Sequence, residues 1–129
     1  MTQSLVHYGL HFILPLIIAL LFFKKNWKKA YLIFLLTMLV DLDHLFSNPI
    51  FDSNRCSINF HPLHSFYAFA AYIILALSKK PFNIIGIGLV MHMITDLIDC
   101  LFMRVKCTSC LIDSSVQNIL DLILNLLKI

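Results

Sequence analysis

Glutamate is absent from this chain of 129 residues, charged residues make up only 13% of it, and glycine (3) and proline (4) are sparse. Soluble domains average about a quarter charged and roughly half apolar. Here hydrophobic residues reach 60%, and the mean hydropathy is +0.86. A water-soluble globule of this length cannot cover that much apolar surface, and disorder needs the opposite composition. Few glycines and no stretch alternating with period two argue against a β-barrel. What remains is an all-α integral membrane protein, read as one domain over residues 1–129. Internal repeats and low-complexity tracts are also missing.

The net charge is +3, carried mostly by two short lysine clusters, Lys24/Lys25/Lys28/Lys29 and Lys79/Lys80. Such clusters between apolar runs do not make a nucleic-acid surface. The apolar runs are Leu5 to Phe23, Ala30 to Phe46, Pro62 to Ser78 and Phe82 to Met103. Each is near the ~20 residues that cross a bilayer, which predicts a polytopic bundle of four transmembrane helices. The first run carries His7 and His11, lacks a basic leader and is followed by lysines, so it reads as a retained helix and not a signal peptide. The tail, Ser114 to Ile129, has an apolar face and a polar stripe of Asn118, Asp121 and Asn125. It predicts an interfacial or bundle-packed amphipathic helix capped by Asp113 or Ser114. The positive-inside rule puts the lysine linkers in the cytoplasm and the segments 47–61 and 104–113 outside.

Alternating helix direction then gathers the ionisable residues. His7 and His11 share a face of the first helix. Asp41, Asp43 and His44 end the second; His61 and His64 open the third; His92, Asp96 and Asp99 lie in the outer half of the fourth. Every histidine and four of the seven aspartates thus fall at the outer end, His11, Asp41 and Asp96 ~8–11 Å from the helix ends. Imidazoles and carboxylates on facing helices build metal centres, and ionisable groups within a membrane mark functional sites. The expected ligands are His11, Asp41, Asp43, His61, His64, His92 and Asp96 to a divalent ion, Zn ahead of Mn or Fe. In an α-helix Asp43 points ~200° around from Asp41, so both reach one ion only if that helix frays. Asp41 with His44 is the same-face alternative. His7, His44 and Asp99 would orient ligands, and Asp43 or Asp99 would act as general base.

The strings Asp41-Leu-Asp43-His44, His61-Pro-Leu-His64-Ser65 and His92-Met-Ile-Thr-Asp96, preceded by His11, resemble the signature of bacterial membrane-bound metal-dependent hydrolase-like families of uncharacterised function. A more distant likeness is to the all-helical zinc-dependent phospholipase C fold. It implies a multinuclear zinc centre acting on phosphate esters, although this chain has no glutamate to match the ligand of that type.

Cys56, Cys100, Cys107 and Cys110 all fall on the predicted outer side, where an oxidising compartment permits two disulfides. Cys107-Thr-Ser-Cys110 could also be free thiols or half a metal site. Arg55 could clamp a phosphate or sit at the headgroup level. The expected function is therefore an inner-membrane hydrolase with its site facing the periplasm or exterior, and a lipid phosphate ester as substrate. The rival expectations are a metal-ion or proton transporter and a membrane scaffold with a structural metal. The inner halves of the runs, free of Asp, His, Lys and Arg, favour a one-sided site over a transport path.

Overall fold

The computed structural model describes residues 2–50, 55–107 and 116–128, and no strand occurs among them. The first apolar run is one continuous helical rod: α1 (Thr2–Tyr8), a π-helical segment (Gly9–Ile13) and α2 (Leu14–Phe22). Pro15 stands two residues after the π segment, in the first turn of α2. It has no N–H to offer the carbonyl four residues back, that of His11. The preceding turn is wound wider, with the Leu14 N–H reaching back to Gly9 O.

After a 3₁₀ turn (Lys24–Asn26), α3 (Trp27–Leu36) continues into a 3₁₀ helix (Thr37–Phe46). Runs of 3₁₀ helix usually stop at three or four residues, and side chains three apart eclipse. The sequence accepts this winding because its inward positions recur every third residue: Phe34, Thr37, Val40 and Asp43 are all buried. A short 3₁₀ turn (Pro62–His64) precedes α4 (Phe66–Ala76); α5 (Phe82–Lys106) and α6 (Gln117–Leu127) complete the chain. Ser65 is extended and caps α4, its Oγ accepting from the Ala68 N–H at 3.2 Å.

The rods run alternately up and down. Lys80 Nζ lies 6.0 Å from the Phe23 ring, so both lysine linkers share one end. Helix α5 is the axis and touches α1, α3, α4 and α6. Two glycines let it do so: a Cβ on Gly86 would stand 2.1 Å from the Ala76 backbone nitrogen at the end of α4, and one on Gly88 would stand 2.8 Å from the Thr37 side chain. Ala19, Ala30, Phe34 and Met91 form the core towards the lysine end. Cys56, Ile58, Met93, Cys100, Val116 and Leu120 form the other, tied by a Cys56–Cys100 disulfide. Cys107 is disulfide-bonded as well; Cys110 lies outside the described residues.

The expectation of four transmembrane helices is corrected. Among the described residues two helices, Gln3–Phe22 and Phe82–Lys106, are long and apolar enough to cross a membrane. The second run is preceded directly by Lys28 and Lys29 and carries Asp41 and Asp43 towards its other end. The third is shortened because Ser65 breaks Pro62–His64 from α4, whose 11 residues rise only ~17 Å. Helix α6 packs on the bundle, burying Leu120. Asp121 receives Arg104 Nε at 2.9 Å and Nη2 at 3.2 Å. The expected caps Asp113 and Ser114 lie outside the described residues.

Candidate metal centre

Four side chains converge beside α5. The 3₁₀ helix supplies Asp41, the Pro62–His64 turn supplies His64, and α5 supplies His92 and Asp96. His64 Nε2 lies 3.3 Å from His92 Nε2, 3.3 Å from Asp41 Oδ1 and 3.0 Å from Asp96 Oδ2. His92 Nε2 lies 3.1 Å from Asp41 Oδ1 and 3.4 Å from Asp96 Oδ2. Ligands about 2.0–2.1 Å from a tetrahedral ion stand roughly 3.3–3.4 Å from one another, which matches these spacings. Hydrogen bonding alone is a poor account of the group. Two imidazole nitrogens face each other, and Asp96 Oδ2 is buried without a hydrogen-bond partner despite its 3.0 Å approach to His64. These four residues could hold a metal ion.

The winding of the second run decides what Asp43 does. At 120° per residue a 3₁₀ helix sets Asp41 and Asp43 only ~120° apart, closer than the ~160° left between them in an α-helix. Both therefore reach His64, on opposite nitrogens. Asp43 Oδ2 accepts from His64 Nδ1 at 3.1 Å and from the Leu63 N–H at 2.8 Å. That bond leaves Nε2 of His64 facing Asp41, His92 and Asp96. A carboxylate behind a ligating imidazole fixes its tautomer and ring orientation. Asp43 is thus placed behind His64 and not beside the other three. The fixed turn is reinforced from α4, where Tyr72 Oη donates to Leu63 O at 2.9 Å.

His61, three residues earlier, is not brought to the group. It precedes the turn in extended conformation, and its ring packs on His44 at 4.0 Å between centroids with Nδ1 3.1 Å from Ser47 Oγ. Burial and then the His44 imidazole push its pKa below the ordinary histidine value. His44 lies behind the carboxylates, with Nδ1 3.2 Å from Asp43 Oδ1 and 3.6 Å from Asp41 Oδ1. Its Nε2 is 3.1 Å from Ser57 Oγ.

His7 and His11 form a separate group with Asp96. Asp99 accepts from Gln3 Nε2 at 2.8 Å and lies 4.0 Å from His7; Lys106 Nζ in turn donates to Gln3 Oε1 at 2.6 Å. Gln3 escaped the sequence reading, yet it had a signal: with His7 and His11 it makes a polar series spaced by four on one helix face.

A cavity of about 680 Å³ opens over the group, lined among others by His7, Asp41, Asp96, Asp99 and Arg55. Asp41 is the member turned most to that space, its side chain 42% exposed while His64 is fully buried. Arg55 is engaged at the rim, its Nη2 donating to Pro49 O at 2.7 Å and Ile50 O at 3.0 Å and its guanidinium 4.8 Å over the Phe60 ring.

The architecture and site define an all-helical bundle whose buried histidines and aspartates could hold a metal ion. The chain matches the Family of unknown function (DUF6122) over residues 1–103 and belongs to that family. No curated protein matches it, and neither does any solved structure. The family match carries no hydrolase or phospholipase C likeness with it. It ends at residue 103, within α5 and beyond every residue of the metal group.

Proposed function

We propose that the protein is an integral-membrane, metal-dependent hydrolase whose divalent ion is held by Asp41, His64, His92 and Asp96. The observation that carries this reading is the convergence of their four ligand atoms, all within 4.8 Å of one another, beneath an open cavity. When bound there, a zinc-class ion supplies Lewis acidity and brings the pKa of water toward about 7. The chain's own residues do the rest. Asp43 holds the His64 ring in register through Nδ1. Asp99, on the cavity wall and steadied by Gln3, is the proton acceptor open to a substrate. Asp43, committed to His64 and Leu63, is not free for that role.

The membrane setting is supported by large apolar side chains left outside the bundle, among them Phe22 at 76%, Leu77 at 83%, and Phe46 and Tyr67 at 89% exposure. The Cys56–Cys100 disulfide stands at the histidine end, and disulfides persist in oxidising compartments. This supports a site facing the periplasm or exterior of a bacterial inner membrane, with the lysine linkers inside. A site near the helix ends suits a substrate whose reactive group sits at headgroup depth, such as a lipid phosphate ester. A transport path has less support. Thr37 and Thr95 donate to carbonyls of their own helices, Phe34 O and Met91 O, and among the described residues no buried charge leads toward the lysine end.

The test is elemental analysis of protein purified in detergent, with hydrolysis of phospholipid and soluble phosphate-ester substrates measured before and after chelation. The wild type is expected to carry metal and to lose hydrolysis on chelation. His92→Ala and Asp96→Ala are expected to carry none at this position. Unchanged metal content in both variants would remove the ligand assignment, and a metal-loaded protein inert toward every ester would remove the hydrolase.

A further inference from the structure

We infer that the chain holds a second divalent cation on His7, His11 and the Oδ1 oxygen of Asp96, so that Asp96 bridges two ions. This deepens the reading of the first position and rests on it. His11 is 4% exposed, and its Nε2 is buried with no hydrogen-bond partner; so is His7 Nδ1. Buried imidazole nitrogens normally find a partner. The nearest acceptors stand off: Asp96 Oδ1 is 3.8 Å from His11 Nε2, and Asp99 Oδ1 is 4.0 Å from His7 Nδ1. Both gaps are too long for hydrogen bonds, and the one between His11 Nε2 and Asp96 Oδ1 leaves room for an ion to be bound by both atoms. The two rings approach edge to face, with centroids 4.5 Å apart, and ligand atoms of His7, His11 and Asp96 lie within 4.8 Å of one another.

Asp96 joins the two positions. Its Oδ2 faces His64 and His92, and its Oδ1 faces His11. Ions that share a carboxylate in this way stand about 3.5–4 Å apart in two-metal hydrolytic sites. Both positions open on the cavity, which His7, Asp41 and Asp96 line. Imidazole and carboxylate donors without thiolate select a Zn-, Mn- or Fe-class ion. The π-helical turn is part of the construction, since it carries His11 at its centre, and such turns recur at functional sites.

The experiment uses the full chain in detergent, stripped with chelator and titrated with Mn²⁺ alone. Bound metal is counted by elemental analysis, and coupling is read by electron paramagnetic resonance. We expect two ions per chain with an exchange-coupled signal. His7→Ala and His11→Ala should each bind one ion and give the resolved hyperfine pattern of isolated Mn²⁺. One ion in the wild type, unchanged in both variants, would overturn the second position and leave the first. No bound ion would overturn both. Two uncoupled ions would overturn the bridge through Asp96. The wild-type count and spectrum decide the matter even if a variant fails to fold.

Discussion

Asp43 and His64 show how much a single hydrogen bond settles. The 3.1 Å contact from His64 Nδ1 fixes which nitrogen of that ring faces Asp41, His92 and Asp96. Carboxylates in this role typically contribute 10–100-fold to metal affinity. Asp43→Asn is therefore expected to weaken metal binding by roughly that factor, measured by competition with a chromogenic chelator; unchanged affinity would show that His64 is held without it. At this scale the chemistry was legible in the sequence, and the division of labour was not. His61 and His64 belong to one string, and spacing gives no reason to separate them. The extended backbone at His61 turns its ring toward His44 and Ser47. The 3₁₀ turn carries His64 inward.

At the scale of elements, the irregular helices matter most. The Thr37–Phe46 segment brings Asp41 and Asp43 to the same imidazole through its winding, which a period-3.6 reading cannot foresee. The buried positions from Phe34 to Asp43 recur by three, but Thr37 and Asp43 are polar, so hydropathy does not mark that period. Gly86 is a second device of this kind. A Cβ there would meet the α4 backbone at 2.1 Å, and overpacking of this kind costs about 1–3 kcal/mol. Gly86→Ala should destabilise the protein by at least that much, read from unfolding in detergent or bicelles. Helix α6 is tethered by Asp121, whose hydrogen bond from Arg104 holds its carboxyl below the ordinary aspartate range. A depressed carboxylate pKa stabilises the fold above the unfolded-state value and loses that contribution as pH falls through the folded-state value. Acidification across that window should loosen α6, and Asp121→Asn should flatten this part of the pH profile, followed by amide exchange over 117–127.

For the molecule as a whole, up-and-down threading puts the lysine linkers at one end and the disulfide and histidines at the other. A single cysteine introduced by Lys79→Cys is expected to resist a membrane-impermeant maleimide in intact cells and to label after lysis, because no native cysteine among the described residues is free. Labelling from outside would invert the orientation. The disulfide also closes a segment of 44 residues, for which the chain-entropy relation gives about 4 kcal/mol. Cys56→Ser is expected to lower stability by a similar amount, with the histidine end loosening first.

The sequence alone determined what composition and threading govern: helices in place of strands, a lipid-compatible exterior, and polar residues gathered at one end. These follow from hydropathy and from the direction of successive rods, both local properties. Tertiary structure decided which histidines and aspartates meet, that two helices and not four among the described residues have the length and apolarity of spans, and that Asp96 offers Oδ2 to His64 and His92 and Oδ1 to His11. Those outcomes depend on backbone winding and on close helix approach at Gly86 and Gly88. Both arise only when the rods compete for the same space.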